Sequence, residues 1–141
     1  MQKEIRQTWS FSQSPQEVWE YLTRPELIEL WLTKTDFQPV VGQEFHFVDK
    51  TGKIIYCEVL EVKPFTRLSY SWQYSSAKSE QRLDSKVVWT LVPKEDGTEL
   101  QLQHDSFSFL EDLIAHTNGW NICLRRFEEL LKQTTDASTN T

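Results

Sequence analysis

What most constrains this chain is the order in which its hydrophobic period changes: one strand, two short helices, a run of strands, then one long helix. Ile5, Gln7, Trp9 and Phe11 alternate with Arg6, Thr8 and Ser10, which predicts an opening strand. Ser14-Pro15-Gln16-Glu17 combines a capping box with proline at the first helical position, and Val18, Trp19 and Leu22 give that helix an apolar side. Arg24-Pro25 breaks it, because a residue before proline avoids the helical region. Pro25 opens a second helix carrying Leu27, Ile28, Leu30 and Trp31.

From 36 to 106 the pattern is a meander. Phe45 and Phe47 alternate with Glu44 and His46, and Asp49-Lys50-Thr51-Gly52 is a turn. The strand over 54–62 has a mixed pattern that leaves its inward face open. Leu68, Tyr70, Trp72 and Tyr74 alternate strictly with polar residues. Residues 75–85 are polar and predict a long exposed loop. Val87, Trp89 and Leu91 share the next face, Asp96-Gly97 predicts a hairpin turn, and Leu100 and Leu102 follow. The last helix is predicted over about 109–133, with a capping box at Ser108-Phe109-Leu110-Glu111. Leu110, Leu113, Ile114, Trp120, Cys123, Leu124, Phe127, Leu130 and Leu131 recur along it at helical spacing. It spans roughly 36 Å, enough to cross a small domain. Gly119 costs it about 1 kcal/mol relative to alanine, and marks a kink, a close approach to the sheet or the true helix start. The polar stretch 134–141 predicts a disordered tail. The reading is a single α+β domain over 1–133, a curved antiparallel sheet wrapped around a long C-terminal helix.

The 141 residues carry a formal net charge of −6, and the only adjacent basic pair, Arg125-Arg126, is followed at once by Glu128-Glu129. A nucleic-acid binder shows a basic stripe, so neither nucleic acid nor an anionic membrane is an expected partner. No run approaches the ~18 apolar residues of a membrane span, and the N-terminus lacks an apolar signal region. Cys57 and Cys123 have no metal-type spacing. A reduced, cytoplasmic protein without cofactor or metal is expected, as monomer or homodimer.

Aromatic residues make up 13% of the chain, with six Trp and eight Phe. A twisted antiparallel sheet is concave on one face, and one helix does not fill a wide concavity alone. The remaining space is either packed with rings or left as a cavity. Trp9, Trp31, Phe45, Phe47, Tyr70, Trp72, Trp89, Trp120 and Leu124 are the candidates for facing it. Core packing is the favoured reading of any single ring and ligand wall the alternative.

The motifs Pro15-x-x-Val18-Trp19 and Leu22-Thr23-x-Pro25-Glu26-x-x-x-x-Trp31 resemble the opening of the family of activators of heat-shock-protein ATPase homologues. The likeness continues through Gly42-x-x-Phe45, Glu58-Val59-Leu60-Glu61-Val62-x-Pro64, Arg67-Leu68-x-Tyr70-x-Trp72, Gly97-Thr98-x-Leu100-x-Leu102-x-His104 and Gly119-Trp120. It covers about residues 3–131. It implies the START-like helix-grip fold of the birch pollen allergen, and a cavity between sheet and C-terminal helix. Many members have Gly at the place of Cys57, whose side chain would narrow a cavity, and Pro-Pro at the place of Pro64-Phe65, a mild change. The eukaryotic co-chaperone carries a further N-terminal domain with no counterpart in this chain. The fold is implied more strongly than any activity.

His104 shares a strand face with Leu100 and Leu102 and can point inward as acid, base or ligand contact. The plainer and favoured reading is a strand-end cap of a turn with Asp105. His46 points outward, and His116 sits one helical turn before Trp120, at the rim of any cavity. Glu61, Tyr70, Tyr74 and Asp84 are the acid or base groups available to a cyclase-like or hydrolase-like enzyme. The first functional reading is a binding module for a small apolar or amphipathic molecule. A protein-interaction module acting on a heat-shock ATPase is the second and an enzyme the third.

Overall fold

The computed structural model describes residues 3–139, with side chains as far as Thr134. Strand β1 (Lys3–Phe11) leads into helices α1 (Pro15–Thr23) and α2 (Pro25–Trp31). Six strands follow: β2 (Lys34–Thr35), β3 (Glu44–Val48), β4 (Ile54–Lys63), β5 (Arg67–Ser75), β6 (Arg82–Lys94) and β7 (Gly97–Phe107). Helix α3 (Leu110–Thr139) closes the chain. One antiparallel sheet holds all seven strands in the order β1-β7-β6-β5-β4-β3-β2. This is the helix-grip α+β fold.

The tandem helices form for the reasons legible in their residues. Ser14 is extended (φ −67°, ψ 159°), its hydroxyl accepts the Glu17 N–H at 3.2 Å, and the Glu17 carboxylate faces back to the Ser14 N–H. Arg24, extended before Pro25, is at once the C-cap of α1 and the N-cap of α2. Trp31 then turns inward, donates its indole N–H to the Tyr21 carbonyl at 2.7 Å, and packs on Trp89 and Phe127 with centroids 5.9 and 4.8 Å away.

Several expectations are corrected. Residues 75–85 do not form one long loop: β6 begins at Arg82, leaving only 76–81 as connection, and Ser85 is buried. The mixed pattern of β4 comes from a register shift between Val59 and Glu61. A bulge places an extra residue and exchanges the faces beyond it, so Cys57 and Val59 point inward before it and Val62 packs on the core after it, while Leu60 is exposed. The Pro64-Phe65 change is not mild, since Phe65 has φ +69°, which a proline ring locked near −65° cannot adopt.

Helix α3 begins at Leu110, one residue later than its capping box requires, with the Leu113 N–H on the Phe109 carbonyl at 3.1 Å. It runs unbroken through Gly119. Its buried row is Asp112, Trp120, Leu124, Phe127 and Leu131, while Leu110 and Ile114, assigned to the apolar face by spacing, are exposed. Polar Asp112 takes the inward position in the first turns, which turns both aliphatic residues outward. The backbone helix is continuous to Thr139, past the start of the tail expected over 134–141. Residues 140 and 141 of that tail lie outside the described residues.

Gly97 opens β7 with φ +150°, and a Cβ there would lie 1.9 Å from the Phe11 carbonyl oxygen. Only glycine lets the β6–β7 hairpin sit against the end of β1. Gly97→Ala is therefore expected to cost at least about 2 kcal/mol in urea unfolding. A stability equal to the parent would contradict this close approach.

Candidate functional site

Among the described residues, the helix grips the sheet unevenly. The backbone of α3 comes within 8 Å, Cα to Cα, of β1, β7 and α2, but not of β3, β4 or β5. At the α1–α2 end the gap is filled: Phe127 meets Phe11, Tyr21 and Trp31 with centroids 5.0, 5.7 and 4.8 Å away. At the other end a cavity of about 340 Å³ remains open, at the small end of ligand pockets, which run about 300–1,000 Å³. Its floor includes Ile55, Trp72 and Tyr74 of the sheet, and its roof His116, Gly119, Trp120 and Cys123 of α3. Leu32, Asp49 and Lys53 stand on its margin.

Of the residues expected to face a cavity, Trp72 and Trp120 do so. Trp31, Phe47, Tyr70, Trp89 and Leu124 are buried in the aromatic core away from it. Tyr70 accepts the Trp89 indole N–H at 2.9 Å, and Phe45 packs between Phe37 and Tyr70. Trp9 is half-buried and donates to the Gln7 side chain at 3.0 Å. Cys57 does not line the cavity; Cys123 does. His46 bonds outward to Asp36 at 3.2 Å.

His104 does not cap a turn. It is fully buried, and its two ring nitrogens tie α3 to the sheet. The Trp120 indole N–H donates to Nδ1 at 2.9 Å, and Nε2 lies 2.8 Å from the Ser85 hydroxyl, which itself donates to the Trp72 carbonyl at 2.7 Å. An indole N–H only donates, so Nδ1 is bare and Nε2 carries the proton, donating to Ser85. The chain of donors runs one way, Trp120 to His104 to Ser85 to the backbone. Protonation would set a second N–H against the indole. Burial, reinforced by the nearby His116, accordingly holds the His104 pKa well below its ordinary value.

His116 repeats the arrangement at the cavity wall. Its Nδ1 is 2.9 Å from the Asp112 carbonyl and donates to it, and Nε2 accepts the Trp72 indole N–H at 3.3 Å. Desolvation lowers its pKa, partly offset by Asp112. The rings of Trp72 and Trp120 lie 5.3 Å apart, as do those of His104 and His116. The Asp112 carboxylate accepts the Ser76 hydroxyl at 2.6 Å and the Ala77 N–H at 2.8 Å, pinning the β5–β6 connection to α3.

Tyr74 is buried, and its hydroxyl is the one buried side-chain polar atom without a partner among the described residues. Such a group costs about 1–3 kcal/mol if left so. Burial, then the Asp112 charge, push its pKa up to about 12. Desolvation likewise raises the Cys123 thiol. Of the four acid or base candidates only Tyr74 reaches the cavity. Glu61 is paired with Arg67 and Lys63, and Asp84 bonds Gln73 on the exposed surface. Ser85 and Asp112 were missed because one lay in an apparent loop and the other looked like an ordinary first-turn acid.

Both histidines are neutral in the fold, so the unfolded chain takes up protons first as the pH drops below about 6.5. Stability is thus expected to fall between pH 7 and 5, with each histidine adding a slope of up to about 1.4 kcal/mol per pH unit until its folded-state pKa is reached. Histidine nitrogen NMR at pH 6 should find His104 neutral with its proton on Nε2. Titration of His104 near 6.5 would contradict the donor chain.

Residues 12–132 match the family described as Activator of Hsp90 ATPase homolog 1-like protein. Protein MLL2253 from Mesorhizobium loti is similar at 34% identity and TM-score 0.87, over 93% of this chain and 98% of that one. CalU16 from Micromonospora echinospora is similar at 26% identity and TM-score 0.73, over 96% and 79% of the two chains. DynU16, a putative protein in the dynemicin biosynthetic locus, shares the fold at 21% identity and TM-score 0.81, and this chain spans 47% of its length. No curated protein matches. With the family pattern covering 12–132 and the helix-grip architecture in place, the chain belongs to the activator of Hsp90 ATPase homologue 1-like family of the START-like superfamily.

Proposed function

We propose that the protein is a non-catalytic binding module that holds one small apolar or amphipathic molecule between β4, β5 and the first half of α3. The observation that carries this reading is the open cavity whose floor and roof are mostly apolar and hold their three titratable groups uncharged, with the charged Asp49 and Lys53 on the margin. His116 is lowered, while Tyr74 and Cys123 are raised, so all three are neutral near pH 7. General acid–base work favours a group with its pKa near the working pH, and these shifts run away from it. A neutral wall with two indoles suits an apolar guest instead.

Gly119 supports the same reading. It lies in mid-helix at the cavity roof, and a Cβ there would meet nothing within 4 Å. The fold does not require glycine at this place, and the helix is weaker for it by about 1 kcal/mol. Room for a guest accounts for it.

Titration with a panel of fatty acids, flavonoids and Nile red, followed by tryptophan emission, tests the proposal, because Trp72 and Trp120 border the cavity. Saturable quenching at one site is expected. Gly119→Leu should keep or raise the unfolding free energy in urea, by up to about 1 kcal/mol, while weakening that binding at least tenfold. Unaltered affinity in Gly119→Leu would contradict the location. A flat response with cooperative unfolding intact would favour a second reading, a protein partner. The exposed Leu110, Ile114 and Ile122 on the outer side of α3 are the observation behind that alternative.

A further inference from the structure

The binding reading leaves the guest's chemistry open, and the unpartnered Tyr74 hydroxyl narrows it. The polar groups nearest that hydroxyl already have partners. The His116 Nδ1 proton is committed to the Asp112 carbonyl and its Nε2 to the Trp72 indole. Each Asp112 carboxylate oxygen already accepts one bond, from Ser76 and from Ala77. Among the described residues, the Tyr74 O–H is the one buried side-chain oxygen or nitrogen without a partner. The hydroxyl has no contact with bulk water, but Tyr74 lines the cavity, so a small side-chain adjustment of the kind common on binding would bring it an acceptor on a guest.

The charge around the site decides which acceptor. Asp112 is close enough to act on the Tyr74 hydroxyl, and both histidines are neutral. Among the described residues, the one cation lining the cavity is Lys53. Lys53 is on the margin, beside Asp49, whose carboxylate it already influences. A carboxylate buried against Tyr74 would lose its hydration and face a like charge. A neutral oxygen loses little and completes the hydrogen bond.

Resting on the binding reading above, we infer that the guest is a compact ring-bearing molecule with a neutral carbonyl oxygen at its buried end, seated against the packed Trp72–Trp120 pair and accepting from the Tyr74 hydroxyl. The body is apolar because Ile55, Leu32 and the two indoles surround it, and compact because the space is about 340 Å³.

Three probes of one shape test this by calorimetric titration: 2-acetylnaphthalene, 2-ethylnaphthalene and 2-naphthoate. The parent protein is expected to bind the ketone at least tenfold more tightly than the hydrocarbon, and the carboxylate most weakly. In Tyr74→Phe the ketone preference should vanish while the hydrocarbon affinity is kept. That variant removes only an unpartnered oxygen, so its urea midpoint should not fall. Equal affinity for ketone and hydrocarbon in the parent protein overturns the inference, as does a preference that survives in Tyr74→Phe, or tightest binding of the carboxylate. Binding of none of the three overturns the binding reading along with it, so the two failures differ.

Discussion

The hydrogen bond from the Trp120 indole to Nδ1 of His104 is the contact on which the geometry of the site depends. It joins α3 to β7, next to the edge strand β1, and it continues through Ser85 of β6 to the backbone carbonyl of Trp72 in β5. Because an indole can only donate, the direction of every bond in the chain follows from this first one. A buried polar network is costly when half satisfied and specifying when complete. Here every member is satisfied while His104 stays neutral. The second histidine, His116, receives the other cavity indole in the same way. Two Trp–His pairs thus hold α3 at a fixed height above β5.

That fixed height explains why one half of the grip is solid and the other is not. Beyond Trp120 toward the C-terminus, Leu124, Phe127 and Leu131 reach down into the rings of the α1–α2 end. In the other direction the helix presents Gly119, Ala115 and His116 over β4 and β5, and two of those three have little or no side chain. Small residues over large rings leave space rather than contact. The gap opens to solvent at its margin, and the satisfied hydrogen bonds of the two Trp–His pairs keep α3 from closing over it.

Much of this architecture was legible in the residues. The capping box at Ser14, the double role of Arg24-Pro25 and the strict alternation from Leu68 to Tyr74 all act within a few positions of themselves, and local chemistry sufficed. What escaped depended on partners far along the chain. Ser85 looked like loop because its neighbours are polar, yet its hydroxyl is the acceptor for His104, 19 residues on. Asp112 looked like a helix-start acid, yet it anchors the Ser76-Ala77 connection and displaces Leu110 and Ile114 to the surface. For the cavity, spacing identified the right faces and not the right end. Phe47 and Trp89 are buried on the same side of the sheet as Trp72, but only the course of α3 along β1, β7 and α2 determines which rings are covered by side chains and which are left beside open space.

The most direct measurement is the response of the six indole N–H resonances, in a proton–nitrogen NMR spectrum, to a saturating apolar guest such as 2-acetylnaphthalene. Trp72 and Trp120 border the cavity, whereas Trp31 and Trp89 are sealed in the core and Trp9 and Trp19 lie elsewhere. The account predicts that the Trp72 and Trp120 signals shift together and saturate at one equivalent, with the other four nearly still. Shifts confined to Trp9 or Trp19, or no shift in any indole, would contradict a guest seated between sheet and helix.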